Sequence, residues 1–342
     1  MATQNIAIPT GESASVLAML ATHIFENHGK EMGDAIINKN YVLAYLKSKC
    51  ESLEVGGLDF SEPVLTSANS NFGFRNKRTE IPSDAQNHTQ EFKFDPIVLD
   101  GTVVINKVDE LMNRGKHQIM KLATTLKKQA ESTVANLINT QLWDATPTAN
   151  VEPESIPSLV SATPTTGTIG GQSRVTNLFA RNKVFTTTIS SVGSAAGMAL
   201  LHRFRASLGG AAATTPDFAV TTATIWGLIM GFLDNNRRIK ADEKMSNLGF
   251  DNIYIGSALL GYDGDAGAAV GGDTTLAGCP ANQLYYLNSK HLFYKILEGG
   301  NTVFEPFSKK DNSLNETSIF YHVYQLTTNQ PNALGVATAI TG

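Results

Sequence analysis

Charge is what this 342-residue chain has little of: Lys, Arg, Asp and Glu make up 17% of it, against roughly a quarter in ordinary globular proteins. The shortage falls on both signs, with 27 basic against 31 acidic side chains and a net charge of −4. That balance excludes a protein that coats nucleic acid through positive charge alone. Cysteine is scarcer still, Cys50 and Cys279 alone. Nothing in the spacing of these two cysteines suggests a disulfide framework or a metal site, and they read as reduced thiols of a chain made in a cytosol. No apolar run approaches the roughly 20 residues of a membrane-spanning helix, and Met1-Ala-Thr-Gln-Asn-Ile does not open as a secretory leader. A charge-poor surface is suited to association, because the centres of interfaces are depleted of charge.

Catalytic signatures are missing too. The chain has no G-x-x-x-x-G-K-[ST], no G-x-G-x-x-G, no G-x-S-x-G and no H-E-x-x-H, the patterns that cradle phosphate, expose a nucleophile or hold zinc. Its histidines, His23, His28, His88, His117, His202, His291 and His322, are dispersed, and read as surface or interface side chains. The best metal candidate is Asp263-Gly-Asp265 with Asp273, in a glycine-rich run from Gly261 to Gly278. An EF-hand needs a glutamate at its twelfth position; counted from Asp263 that position is Thr274, so the pattern breaks and a solvated loop is expected. The glycines at 264, 267, 271 and 272 are enough for an anion nest, but no helix start or lysine follows to complete a phosphate site. No metal, cofactor or catalytic residue is expected.

What is present is a succession of contrasting stretches. Within residues 13–50, Val16, Leu17, Leu20 and Ile24, then Ile36, Ile37, Val42, Leu43 and Leu46 recur at helical intervals, read either as a core helix pair or as an amphipathic arm lying on a partner. From Glu51 to Pro96 the phenylalanines Phe60, Phe72, Phe74, Phe92 and Phe94 stand among Ser, Asn, Gly and Pro, and Gln90-Glu91-Phe92-Lys93-Phe94 alternates as a strand does. The polar middle, Asn69–His88, carries Arg75, Lys77, Arg78, Glu80 and Asp84. We read a long β-hairpin with a charged tip. A loop of this length is improbable inside a compact domain, so it is expected to project toward another subunit; the alternative is a flexible surface insertion.

Residues 106–142 predict the longest helix, with Val108, Leu111, Ile119, Leu122, Leu126, Ala130, Val134, Leu137 and Ile138 near one face and Gly115 as a place to kink or split. Lys107, Arg114, Lys116, Lys121, Lys127 and Lys128 make it basic, for contact with DNA phosphates or, the favoured reading, as a solvated face with inter-subunit ion pairs. A Pro/Thr/Gly-rich connection follows over Thr146–Gly171. Further helices are predicted over Ser191–Ser207 and after a cap at Thr222 or Thr224, and strands at Pro216–Thr221, Asn252–Gly256, Gln283–Leu287 and Ile319–Leu326. The mixture is α+β.

The run Ser155-Ile-Pro-Ser-Leu-Val-Ser-Ala-Thr-Pro-Thr-Thr-Gly-Thr-Ile-Gly-Gly-Gln-Ser-Arg-Val-Thr-Asn-Leu-Phe-Ala-Arg-Asn-Lys183 resembles a stretch of the major capsid proteins of tailed bacteriophages. In them a leucine-valine pair, a Pro/Thr segment, Gly-Thr-x-Gly-Gly, Arg-x-Thr-Asn and Arg-Asn follow in this order; Ala180 stands where a tryptophan is usual. Two further patches agree, Asn247–Gly256 with Tyr262-Asp263, and Asn282–Leu292 followed by a turn at Phe304–Phe307. The resemblance covers most of residues 50–342.

It implies the Hong Kong 97 capsid fold: an N-terminal arm over 1–55, an extended loop over 56–100, a peripheral domain with its spine helix over 101–215, an axial domain over 216–305 and return strands over 306–342. It also implies a shell subunit of the virion, made in a host bacterial cytoplasm. Its partners would be copies of itself in hexamers and pentamers, a separate scaffold, a portal, decoration proteins in some relatives, and double-stranded DNA on the inner face, with no membrane. Arg75, Lys77, Arg78, Glu80, Asp84, Arg174 and Arg181 are the expected inter-subunit residues. Some relatives join a hairpin lysine to a partner's asparagine, for which Lys77 or Lys93 would serve, though no glutamate is marked for that reaction. An encapsulin-like nanocompartment shell is the nearest alternative, and a soluble enzyme with a site in the 261–278 loop a further one.

Overall fold

The computed structural model describes residues 41–49, 52–67, 69–77, 79–84, 87–112, 122–212, 215–235, 253–263, 278–309 and 314–341. The helical reading of residues 13–40, the helix middle with Arg114, Gly115, Lys116 and Lys121, the tip residue Arg78, and Asp265 and Asp273 lie outside them.

In chain order the first elements are α1 (Tyr41–Lys49), β1 (Ser52–Val55), β2 (Phe60–Leu65), β3 (Thr89–Phe94), β4 (Ile97–Asn106), α2 (Lys107–Met112), α3 (Leu122–Leu142) and the single turn α4 (Ile156–Leu159). There follow β5 (Thr168–Ile169), β6 (Gln172–Ser173), β7 (Lys183–Phe185), α5 (Ala195–Ala212), β8 (Phe218–Thr221), α6 (Ala223–Asn235), β9 (Ile253–Ile255) and β10 (Ala258–Tyr262). The last are β11 (Leu284–Leu287), β12 (Leu292–Leu297), β13 (Val303–Phe304), β14 (Ser308–Lys309), β15 (Asn315–Thr328) and β16 (Gly335–Ala337). Two compact units divide the chain, one holding Val98–Leu137 and Gly300–His322, the other Lys39–Ile97, Ile138–Gly299 and Val323–Gly342.

The larger unit is built on a six-stranded sheet in the order β7-β16-β11-β8-β10-β9. Its central strand β8 reads Phe-Ala-Val-Thr and is buried on both faces, which is why it shows a continuous apolar run rather than alternation. One face packs Ala219, Leu260, Leu284 and Tyr286 against Met198, Leu201, Phe204 and Leu208 of α5 and Ile225, Ile229 and Leu233 of α6. On the other face Tyr41 and Tyr45 of α1 stack on Phe218, and Trp143 meets Tyr285 edge-on at 5.6 Å. Glycine is required at 261, because a Cβ there would lie inside the Tyr41 ring. A second set of strands in this unit pairs β1 parallel to β12 and β12 antiparallel to the end of β15, Leu292 opposite Thr328 through Ile296 opposite Tyr324.

In the smaller unit the first half of β15 pairs with β13 and β14, and β15 also pairs with β4. Asn106 meets Asn315 at 3.1 Å and Lys107 meets Glu316 at 3.1 Å, tying the end of β4 to the start of β15.

The helix predicted over 106–142 is described at its two ends, as α2 and α3, and residues 113–121 between them lie outside the description. Other sequence expectations are corrected. The helix expected from Ser191 starts at Ala195, because the Ser194 hydroxyl accepts from the Gly197 N–H at 3.2 Å and caps it. Strands β4, β10 and β12 had no forecast, and the late strand runs from Asn315 to Thr328 rather than over eight residues. Among the described residues no helix is long and apolar enough to cross a membrane.

Candidate assembly surface

The hairpin predicted between Glu51 and Pro96 exists as β2 against β3, in register from Phe60 opposite Phe94 to Leu65 opposite Thr89. It forms a two-stranded sheet of its own, and such a ribbon is marginal in water unless one face is covered. The covered face carries Phe60, Phe92 and Phe94, with Phe92 against Phe179 at 5.7 Å between ring centres. The outer face holds Lys93, 2.9 Å from Glu91 and exposed. Each steadies the other's charge, raising the lysine pKa and lowering the glutamate's.

Beyond Leu65 the strands separate. Thr66 N–H still donates to the His88 carbonyl at 2.8 Å, and Asn71 Nδ2 reaches the Asp84 carbonyl at 2.9 Å. Lys77, Glu80 and Asp84 are all exposed, and so is Arg75, whose Nη2 donates to the Asn71 carbonyl at 2.7 Å. Two large aromatics share the tip, Phe72 at 83% and Phe74 at 112% relative exposure. Such side chains gain by being covered, so the tip offers apolar area as well as charge.

The run 155–183 forms a loop stitched by its own side chains. Ser155 caps α4 and exchanges hydrogen bonds with Ser158. The pair Gly170-Gly171 turns β5 into β6 with φ of 51° and 74°, the doubly positive turn that fits a two-residue hairpin. Arg174 is 4% exposed, and its guanidinium donates to the carbonyls of Ser158 and Leu159 at 2.6 and 3.0 Å. Burial lowers its pKa, and its charge is spent inside the subunit rather than presented at the surface. Arg181 donates to the carbonyls of Arg174 and Val175, both at 2.6 Å, and Asn182 to that of Ser161 at 2.8 Å. The large hydrophobic side chains that this loop exposes are Val175 and Leu178.

This loop carries the hairpin. The Gly170 carbonyl accepts from the Lys93 N–H at 3.0 Å, and Gln172 Nε2 donates to the Glu91 carbonyl at 3.0 Å. A Cβ on Gly170 would lie 2.7 Å from the Phe92 Cβ. The glycine pair is thus a seat for β3, and Arg174, Asn182 and Arg181 hold the seat in shape.

On the long helix, Lys127 sits 4.7 Å from the Phe304 ring centre and 4.0 Å from Glu131, a local pairing of the solvated-face kind. Asp263, the first member of the metal candidate, is buried and accepts from Trp143 Nε1 at 2.8 Å. Burial pushes its carboxyl up to about 7, so it is a structural acceptor. Among the described residues no group of three or more His, Cys, Asp and Glu is placed to hold a metal ion.

The fold of the chain is the Hong Kong 97 capsid fold of tailed-phage capsid structures. This chain is similar to a chain of the cyanophage A-1(L) capsid asymmetric unit, with TM-score 0.68 and 16% identity over 94% of this chain and 98% of that one. It is also similar to the capsid of a native GTA particle, with TM-score 0.58 and 10% identity over 96% and 99%. The holo-SrpI encapsulin complex from Synechococcus elongatus matches at TM-score 0.54 and 8% identity over 94% and 95%. At these identities the likeness is one of fold. No protein-family model and no curated protein sequence matches the chain.

Proposed function

We propose that this chain is a major capsid protein, a tile that self-assembles into the icosahedral head of a tailed phage. The observation that carries the proposal is end-to-end likeness to a phage capsid subunit, over 94% of this chain at a TM-score of 0.68. The monomer's own surface supports it, with Phe72 and Phe74 uncovered at the end of an anchored ribbon. In this reading residues 1–55 are the arm, 56–100 the extended loop, 101–215 the peripheral domain, 216–305 the axial domain and 306–342 the return strands. Arg75, Lys77, Arg78, Glu80 and Asp84 set register against a neighbouring copy. Ion pairs at a rim are individually weak, and strength comes from many modest contacts repeated around closed rings. Scaffold, portal and DNA on the inner face complete the partners, and production is in the host cytoplasm.

An encapsulin-like shell is the second reading, favoured by the SrpI match, though the cyanophage likeness is greater in both TM-score and identity. Negative-stain microscopy and size exclusion of the expressed chain, alone and with the scaffold encoded beside it, test the shared claim. Closed or malformed shells are expected. A monodisperse small species at high concentration under both conditions overturns it, and encapsulated protein in place of DNA in native particles selects the second reading.

A further inference from the structure

The covered face of the hairpin has one residue of the wrong kind. Along β2 the inward positions are Phe60, Glu62 and Val64, opposite Phe94, Phe92 and Gln90. A glutamate stands where alternation calls for a hydrophobe, and it is only 7% exposed. Its oxygen lies 2.7 Å from the ammonium of Lys295 on β12, itself 6% exposed, and accepts from the Thr327 hydroxyl on β15 at 2.8 Å. Lys295 also lies 5.9 Å from the centre of the Phe60 ring. One oxygen of a carboxylate on the hairpin therefore joins two strands of the body through two short, directional bonds.

A buried ion pair is weak evidence for stability, since apolar residues of the same volume often serve as well or better. What it adds is geometric demand. An apolar face tolerates a small slide, whereas moving this pair apart leaves two desolvated charges. The surroundings make such a demand useful: one leg of the hairpin joins the body through Gly56-Gly57, the latter at φ 147°, a link with freedom to swivel. The other leg is held where Gln325 Nε2 donates to the Asp95 carbonyl at 2.9 Å. A ribbon of six strand residues is about 20 Å long, so a swing of about 10° at its root moves its far end by roughly 3 Å, one residue of strand register.

We infer that Glu62, Lys295 and Thr327 form an aiming pin. They set the direction in which the hairpin leaves its own subunit, and so the accuracy with which its tip meets a neighbouring copy. Glu62 and Lys295 are positioning residues that need touch no neighbour. The assembly half of the inference rests on the capsid reading; the pinning half does not.

The test replaces both charges by apolar residues of similar volume, Glu62→Leu with Lys295→Met, in the full chain. The denaturation midpoint is expected to stay level or rise. Amide hydrogen exchange over 60–65 and 89–94 should accelerate at least tenfold, with the sheet amides of 218–221 and 284–287 unchanged. In assembly with scaffold, the share of shells of uniform diameter should fall at least fivefold, the remainder being aberrant. Unchanged exchange together with uniform shells overturns the pin, as does a double variant that no longer folds, which would make the pair a stability element. If the unsubstituted chain forms no shells, the capsid reading fails, and the exchange measurement still decides whether the pin exists.

Discussion

At the scale of single residues, two neighbouring glycines separate backbone need from packing need. Gly170 and Gly171 both have positive φ, but a Cβ on Gly170 would strike Phe92, whereas one on Gly171 meets nothing within 4 Å. Gly171→Ala should therefore cost only the left-handed backbone penalty, about 1 kcal/mol, and Gly171→Asn less. Gly170→Ala adds overpacking against the hairpin root and should cost about 2–4 kcal/mol. Urea unfolding of the three variants checks the order, and equal losses at the two positions would refute the seat. Asp263 yields a pH prediction. A carboxyl in an unfolded chain titrates near 4, while in the folded protein burial raises this one to about 7. The folded state keeps the proton through that interval and the unfolded state loses it. The stability linked to Asp263 is thus fully present below about pH 4, declines as pH rises toward 7, and is flat above, by roughly 4 kcal/mol at most. Asp263→Asn keeps an oxygen for Trp143 and removes the titration. Its melting temperature should lie close to the parent's at pH 4.5 and above it at pH 8; a gap independent of pH would mean the carboxyl does not titrate there.

Elements show how far the sequence could be read. β8 was legible because a strand buried on both faces is a plain apolar run, and the hairpin because Gln90–Phe94 alternates. β12 was not, since Lys295 in Leu-Phe-Tyr-Lys-Ile-Leu looks like a surface residue until its partner Glu62, 233 positions away, is seen beneath it. β10 hid in a segment that reads as the start of a glycine loop, and β4 behind the basic start of the helix that follows it. Arg174 was marked by the capsid-like motif, but nothing local tells a buried arginine bonded to carbonyls from one at a surface. The inward Glu62 did leave a trace, a charge in phase with Phe60, and that parity was the available signal. The hairpin also makes an element-scale prediction. Its root is held by Phe92, Gly170 and the Glu62 pair, all outside the tip. Removing 69–87 and closing the strands with a short Gly-containing turn should leave a folded monomer with its melting temperature within a few degrees of the parent, and no stable shell. Loss of the monomer's cooperative unfolding would show instead that the tip belongs to its own subunit's core.

For the whole molecule the scarcity of charge decides which forces can hold copies together. With charged residues at 17% of the chain, the capsid reading proposed above draws lasting attraction between copies mainly from apolar contact, and gives the tip charges the finding of register. Exposed ion pairs contribute about 0–1 kcal/mol each, but they steer encounter over a Debye length, which shrinks from about 14 Å at ~0.05 M salt to about 4 Å at ~0.5 M. Replacing Arg75, Lys77, Glu80 and Asp84 together by Gln, Gln, Gln and Asn leaves the net charge of −4 unchanged, so the comparison isolates pattern from overall repulsion. Assembly followed by light scattering should start several-fold more slowly at ~0.05 M salt and at nearly the parent's rate at ~0.5 M, with final shell yields within about twofold in both. The opposite pattern, an unchanged rate with shells that fail to persist, would assign cohesion to the charges and leave Phe72 and Phe74 exposed for some other reason. The two outcomes differ because steering acts before contact and cohesion after it, and the proposed closure of a shell of many copies would depend on both.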